Sequence, residues 1–267
     1  METVTSRDGT TIAFHRTGDG PVVVLVSGAL ATRGSGPGEL EVLLAAAGFT
    51  AVGYDRRGRG DSGDTPPYAI EREIEDLAAV IEAAGGTAYV FGMSSGGQLA
   101  LRSARSLPQI QRLAVYEPPI IVDDSREPLP DDYVERLDSA TAAGRPGDAL
   151  TIFMTDAIGL PGPILDQMRG GPLWPALEGV AHTIAYDGRV VGDSMSGHPL
   201  GAEWGAVAAP VLVVTGGASE RFMRDGGEAL TELLPQASVR VLDGQDHNVD
   251  AKVLAPVLID FFRGPPA

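Results

Sequence analysis

Two groups of residues in this chain have the types and spacing to do chemistry. One is a serine between glycines, Gly92-Met93-Ser94-Ser95-Gly96; the other is a loop histidine near the end of the chain, Gly244-Gln245-Asp246-His247. A serine hydroxyl is a weak nucleophile until a base takes its proton, and imidazole is the side chain best matched to that task near neutral pH. The spacing G-x-S-x-G is common by chance in a glycine-rich chain, so its context decides. The apolar stretch Thr87–Phe91 reads as a short buried strand, and the segment from Ser95 to Ser106 reads as a helix. A strand-to-helix turn this sharp has room only for glycine beside the serine, and it pushes the Ser94 hydroxyl out at the strand's carboxyl end. The helix start adds free N–H groups and the positive end of a dipole, which suit a developing oxyanion. Ser95 is the rival nucleophile by type, but it lacks the symmetric glycine flanks. The bland alternative is a serine in an ordinary turn.

Four histidines are present: His15, His182, His198 and His247. His247 follows the last expected strand, Ser238–Leu242. Parallel strands end at one edge of their sheet, so Ser94 and His247 are expected at the same edge. His15 falls in an expected N-terminal hairpin, and His182 and His198 fall in a region without strand signals.

The elements that must position these residues alternate. Val4–Arg7 and Thr11–His15 flank an Asp8-Gly9 turn and read as a hairpin. Val22–Val26 is apolar without alternation, as a strand buried on both faces would be. Glu39–Ala47 reads as a helix and Phe49–Tyr54 as a strand. Ile70–Ala84 carries its apolar residues on one helical face, Arg112–Tyr116 is a strand, and Val211–Thr215, Phe222–Leu234, Ser238–Leu242 and Lys252–Phe262 continue the alternation. This predicts an α/β protein with a mostly parallel, eight-stranded sheet covered by helices on both faces. Between the sixth and seventh strands no strand signal is strong; helices are expected at Asp131–Ala143 and Asp148–Ile158. Residues 118–209 are therefore expected to form a mainly helical cap inserted into a core of 1–117 and 210–267.

Composition narrows the function. The chain has 267 residues, 43% of them hydrophobic, and no cysteine, which excludes disulfides, zinc–thiolate sites and cysteine nucleophiles. A formal net charge of −16 argues against a nucleic-acid partner. No leader pattern or membrane-length apolar run is evident, so a cytoplasmic protein is expected. No phosphate loop or dinucleotide fingerprint is present, and no cofactor or metal is expected. The expected partner is a small-molecule substrate, and a homodimer is compatible with the sequence.

Four segments together resemble the α/β-hydrolase fold family over nearly the whole chain. They are Val24-Leu25-Val26-Ser27-Gly28-Ala29, Tyr54-Asp55-Arg56-Arg57-Gly58-Arg59-Gly60-Asp61-Ser62, the Ser94 turn, and Gly244-Gln245-Asp246-His247. The resemblance implies a serine hydrolase of the esterase kind with a helical cap, and oxyanion donors at the backbone N–H groups of Ala29 and Ser95. Two positions depart from the family pattern. Ser27-Gly28 stands where His-Gly is common. In the turn Gly216-Gly217-Ala218-Ser219, a serine occupies the place of the usual acid. Glu117 is the leading substitute: it ends the neighbouring strand, about 4.8 Å away, and has the extra methylene to reach His247. Glu220 and an absent acid are the alternatives. The expected triad is Ser94–His247–Glu117, acting on a carboxylic ester, thioester or lactone through an acyl-enzyme. A carbon–carbon bond hydrolase, a cofactor-free peroxidase and a non-catalytic ligand-binding protein remain open; families that need an aspartate nucleophile do not. Trp174 and Trp204, with Met154 and Met168, are expected to shape the pocket.

Overall fold

The computed structural model describes residues 1–33 and 39–264. Eight strands form one sheet: β1 Glu2–Thr5, β2 Thr11–Thr17, β3 Val22–Val26, β4 Thr50–Tyr54, β5 Ala88–Met93, β6 Ile110–Tyr116, β7 Val211–Gly216 and β8 Ala237–Leu242. Their spatial order is β1-β2-β4-β3-β5-β6-β7-β8. The pairs made by β2 with β1 and β4 are antiparallel, and β4 onward are parallel neighbours.

The apolar runs of the inner strands follow from this layering. Successive side chains of a strand point to opposite faces, and here both faces are dry. Val24, Val26, Val90, Leu113 and Val213 face one core, with helices α2 (Ile70–Ala84), α3 (Ser95–Ala104) and α9 (Arg221–Leu233) laid over it. Val23, Phe91, Ala114, Leu212 and Val214 face the other, under α1 (Leu40–Ala46) and α10 (Ala251–Arg263). α2 occupies the predicted residues, and its start and stop follow from its flanks. Glu71 and Glu73 lie in its first turn, and Gly85, at φ 137°, stops it.

Between β6 and β7 the chain is helical, with α4 Tyr133–Ala142, α5 Pro146–Ile152, α6 Gly162–Arg169, α7 Trp174–Val180 and α8 Ile184–Val191. The helix expected over Asp148–Ile158 is split: α5 ends at Ile152 and widens into a π-helical turn over Phe153–Ala157. Three helices, α6, α7 and α8, were not expected from the sequence: each is only about two turns long, and α6 and α7 carry proline in their first turn, Pro163 and Pro175. The insert divides between two cores. Tyr133, Leu137, Leu150, Leu165, Trp174 and Ile184 form a core of its own, whereas Val190, Trp204 and Val207 pack into the main body.

Leu113 lies at the middle of the sheet with no exposure to water. Leu113→Ala is expected to lower the unfolding free energy by about 2–5 kcal/mol, read by urea denaturation followed by circular dichroism.

Candidate active site

Parallel strands deliver six loops to one edge, in the order β4, β3, β5, β6, β7, β8. The turn after β5 is the tightest. Ser94 sits at φ 55° and ψ −130°, immediately before α3. A Cβ on Gly92 would meet the Gly96 carbonyl oxygen at 2.6 Å, and one on Gly96 would meet the Val26 oxygen at 2.3 Å. Both flanking glycines are therefore required by backbone packed against backbone, which is the physical content of the G-x-S-x-G spacing. Among the described residues the non-glycine residues at positive φ are Leu30, Ser94 and Glu117. Each costs on the order of 1–3 kcal/mol, and such strain collects at functional sites. All three lie at this edge.

The register aligns Met93 with Tyr116 and Tyr116 with Val214. Ser94 N–H donates to the Tyr116 carbonyl at 2.9 Å, and Glu117 N–H to the Val214 carbonyl at 3.0 Å. Glu117 thus follows its strand beside the serine turn, with no exposure to water. Its Oε1 accepts from Gly216 N–H at 2.7 Å and from the Ser219 hydroxyl at 2.5 Å. Its Oε2 lies 2.8 Å from His247 Nδ1. Ser219 is therefore not a gap left by a missing acid: its hydroxyl helps hold the carboxylate that comes from the neighbouring strand. Glu220 instead stands at the residue before α9, at the cavity wall, and makes no capping hydrogen bond with its side chain. The loop bearing His247 is pinned from below, because the buried Tyr116 hydroxyl donates to the Asp246 carbonyl at 2.5 Å. Burial and the nearby Glu117 push that phenol's pKa up, so it stays a donor.

Ala29, Ser94, Ser95, Glu117 and His247 all line one cavity of about 340 Å³. Its remaining wall is mostly apolar, from Leu129, Phe153, Ile158, Val191, Met195 and Phe222. Phe153 opens the π-helical turn and Ile158 follows it, in a segment expected from the sequence to be plain helix. The Arg126 guanidinium closes part of the wall, stacked 4.7 Å from the Phe222 ring centre and donating to the Ala157 carbonyl at 2.7 Å.

The pocket roles expected for the tryptophans are corrected by their packing. Trp204 is buried in the main core with Arg102 over its ring. Trp174 lies in the core of the insert and donates to Glu178 at 3.1 Å. Neither lines the cavity, because a large ring in a small domain is most often consumed by core packing. Met168 also packs against the insert's core, whereas Met154 borders the hollow beside Ser94. The other histidines are elsewhere: His15 pairs with Glu41, His182 faces Asp64, and His198 is exposed.

A buried charge network that was not expected from the sequence lies behind the cavity. Asp187, on α8 of the insert, accepts from Arg56 at 2.6 Å, from Arg59 at 2.5 Å and from the Ser95 hydroxyl at 2.7 Å. Burial opposes its charge, but Arg56 and Arg59 outweigh that and hold its carboxyl below the usual range. Three arginines within four residues, Arg56, Arg57 and Arg59, were the signal available in the sequence; all three are buried in the structure. No membrane-length apolar helix and no cluster of metal-binding side chains occur among the described residues.

A mostly parallel sheet with a strained serine turn, a buried acid and a loop histidine at one edge defines the class of the α/β hydrolases. The comparisons agree: a sequence model of the alpha/beta hydrolase family matches residues 23–255, and the chain belongs to that family. It is 53% identical to an alpha/beta hydrolase from Sphaerobacter thermophilus, with a TM-score of 0.89 over 98% of this chain and 100% of that one. At lower identity the fold is shared with a thermophilic esterase from Thermogutta terrifontis (22%, TM-score 0.72, 98% and 97% covered). It is also shared with an enol-lactonase from Burkholderia xenovorans (19%, TM-score 0.69, 98% and 100% covered).

Gly96→Ala drives a methyl into backbone on β3. It is expected to destabilise the fold by at least about 1–3 kcal/mol, seen as a lowered midpoint in thermal unfolding.

Proposed function

We propose that this enzyme is a serine hydrolase that cleaves an ester-type bond of a small, largely apolar molecule through an acyl-enzyme on Ser94. The observation that carries this reading is the 2.8 Å contact between Glu117 and His247 Nδ1, in the cavity that Ser94 also lines. With its carboxylate bound by Gly216 and Ser219, Glu117 is left with one oxygen for the imidazole. That contact holds the proton on Nδ1 and leaves Nε2 as the base.

His247 Nε2 takes the Ser94 proton as Oγ attacks the substrate carbonyl carbon. The carbonyl oxygen becomes an oxyanion facing the N–H groups of Ala29 and Ser95. The imidazolium then gives its proton to the leaving alkoxide or thiolate, and the C–O or C–S bond breaks. Water enters, His247 takes its proton, and hydroxide adds to the acyl carbon. Collapse releases the carboxylic acid and returns the proton to Ser94. The helical insert serves as the cap that supplies the apolar wall and keeps bulk water from the acyl-enzyme. A cavity near the lower limit of ligand pockets favours short to medium acyl chains.

A fluorophosphonate probe is expected to label the wild type and not Ser94→Ala; absence of wild-type labelling, beside a reactive control hydrolase, overturns the reading. Glu117→Gln is expected to lower kcat up to about 10⁴-fold. Gly216 N–H and Ser219 keep the amide oxygen, so the amide NH₂ faces Nδ1 and forces the wrong tautomer on His247. Ser219→Asp sets a second carboxylate against Glu117 and is expected to lower activity in the wild-type background. In the Glu117→Gln background it is expected to restore part of the activity by supplying an acid at the family's usual position. Ester turnover by the four proteins (wild type, both single variants and the double variant) checks this sign reversal.

A further inference from the structure

The Asp187 network reaches both backbone donors to which the mechanism assigns the oxyanion. The Gly28 carbonyl and the Ala29 N–H are the two ends of one peptide unit. Because a peptide is planar and trans, fixing its oxygen fixes the direction of its N–H. Arg59 Nη1 donates to that Gly28 oxygen at 2.6 Å and to the Ala31 oxygen at 3.3 Å. A charged donor on a carbonyl also draws electron density from the amide nitrogen, so the Ala29 N–H becomes a stronger donor. The other end of Arg59 is held by Asp187 at 2.5 Å, and Asp187 holds the Ser95 hydroxyl at 2.7 Å. Ser95 opens α3, where its N–H has no acceptor within the helix. One carboxylate and one guanidinium thus connect the peptide of the first donor to the residue of the second.

The rest of the network is built to carry these buried charges. Arg56 links Asp187 to Glu73, which it grips with two bonds of 2.7 Å, and touches the Ser27 carbonyl at 3.3 Å. Two arginines are balanced by Asp187 and Glu73, and all four are buried. Arg56 and Arg59 both lie in the stretch Asp55-Arg56-Arg57-Gly58-Arg59-Gly60-Asp61-Ser62. Its third arginine, Arg57, turns away to Asp76 and Asp8. This stretch therefore offers two guanidinium groups beside a loop in which Ser27 has replaced the histidine common in relatives. The Ser27 hydroxyl is buried and has no partner among the described residues, so the loop takes its support from Arg59 instead.

We propose that Arg59, anchored by Asp187, is a positioning residue for the oxyanion hole: it aims and strengthens the Ala29 N–H through the Gly28 carbonyl, while Asp187 sets the start of α3 through Ser95. The proposal rests on the serine-hydrolase reading. It predicts a loss confined to the tetrahedral state, because the Gly28–Ala29 peptide touches the developing charge more closely than it touches the bound ester.

The test compares wild type with Arg59→Met, Arg59→Lys and Ser95→Ala. Each is measured for kcat and KM on a short-chain aryl ester, for affinity to an aryl boronic acid that forms a tetrahedral adduct on serine, and for affinity to the matching unreactive amide. Arg59→Met is expected to lower kcat by about 10²-fold, as for loss of one oxyanion donor. Boronate affinity is expected to fall in parallel, with KM and amide affinity within about twofold of wild type. Arg59→Lys keeps the charge with a single donor group and is expected to recover part of both losses. Ser95→Ala retains the backbone N–H and only frees the hydroxyl anchor, so a loss of roughly tenfold in kcat with unchanged KM is expected. If Arg59→Met does not fold, Arg59→Lys and Ser95→Ala carry the test. Wild-type turnover and boronate affinity in those two variants overturn the proposal. Wild type that reacts with neither ester, boronate nor fluorophosphonate overturns the serine-hydrolase reading itself.

Discussion

The Glu117 carboxylate has no contact with water, and a buried charge of that kind persists only when donors surround it. Three do: a backbone N–H at the end of β7, a hydroxyl three residues later, and the imidazole of the loop after β8. The requirement to satisfy this charge organises the whole edge of the sheet. It draws the turn after β7 toward β6 and holds the His247 loop over Ser94. Glu117 itself sits at positive φ, 45°, directly before Pro118.

A second buried charge works on the opposite side of Ser94. Asp187 lies on the insert, yet its partners Arg56, Arg59 and Ser95 belong to the sheet's edge. The insert is thus fastened to the core by ion pairs out of water, where removing one partner leaves an uncompensated charge and costs about 3–5 kcal/mol. Such an anchor makes the base of the insert rigid. The apolar wall that shapes the cavity is supplied by the neighbouring turns, Phe153 to Ile158 among them. Cavity shape and support of the Ser94 edge are consequently linked through one segment of chain.

Much of the fold was legible in the sequence because the signals are local. The run Val22–Val26 and the helical face of Ile70–Ala84 each state their periodicity within a few residues, and the glycines beside Ser94 state the tightness of the turn. His247 was found by topology, since parallel strands must end together. That Glu117 lies within reach of His247 was expected from the serine at position 219 and the closeness of adjacent strands. The tryptophans misled because residue type tells that a ring will be buried, not which of several cores will take it. The π-helical turn misled because its residues carry the same helical pattern as the α5 residues before them.

Residue order by itself therefore determined the sheet, the strained serine turn and the placing of Ser94 and His247 at one edge, all of which depend on periodicity or on steric limits within a few residues. Only the tertiary structure decided that Ser219 serves Glu117 rather than replacing an acid, and that Asp187 joins Ser95 and Arg59. Ser95 and Asp187 are 92 residues apart and Arg59 and Asp187 are 128 apart. Contacts between such distant residues leave no pattern in the intervening chain; they exist because burial brings charges together and demands that each be satisfied.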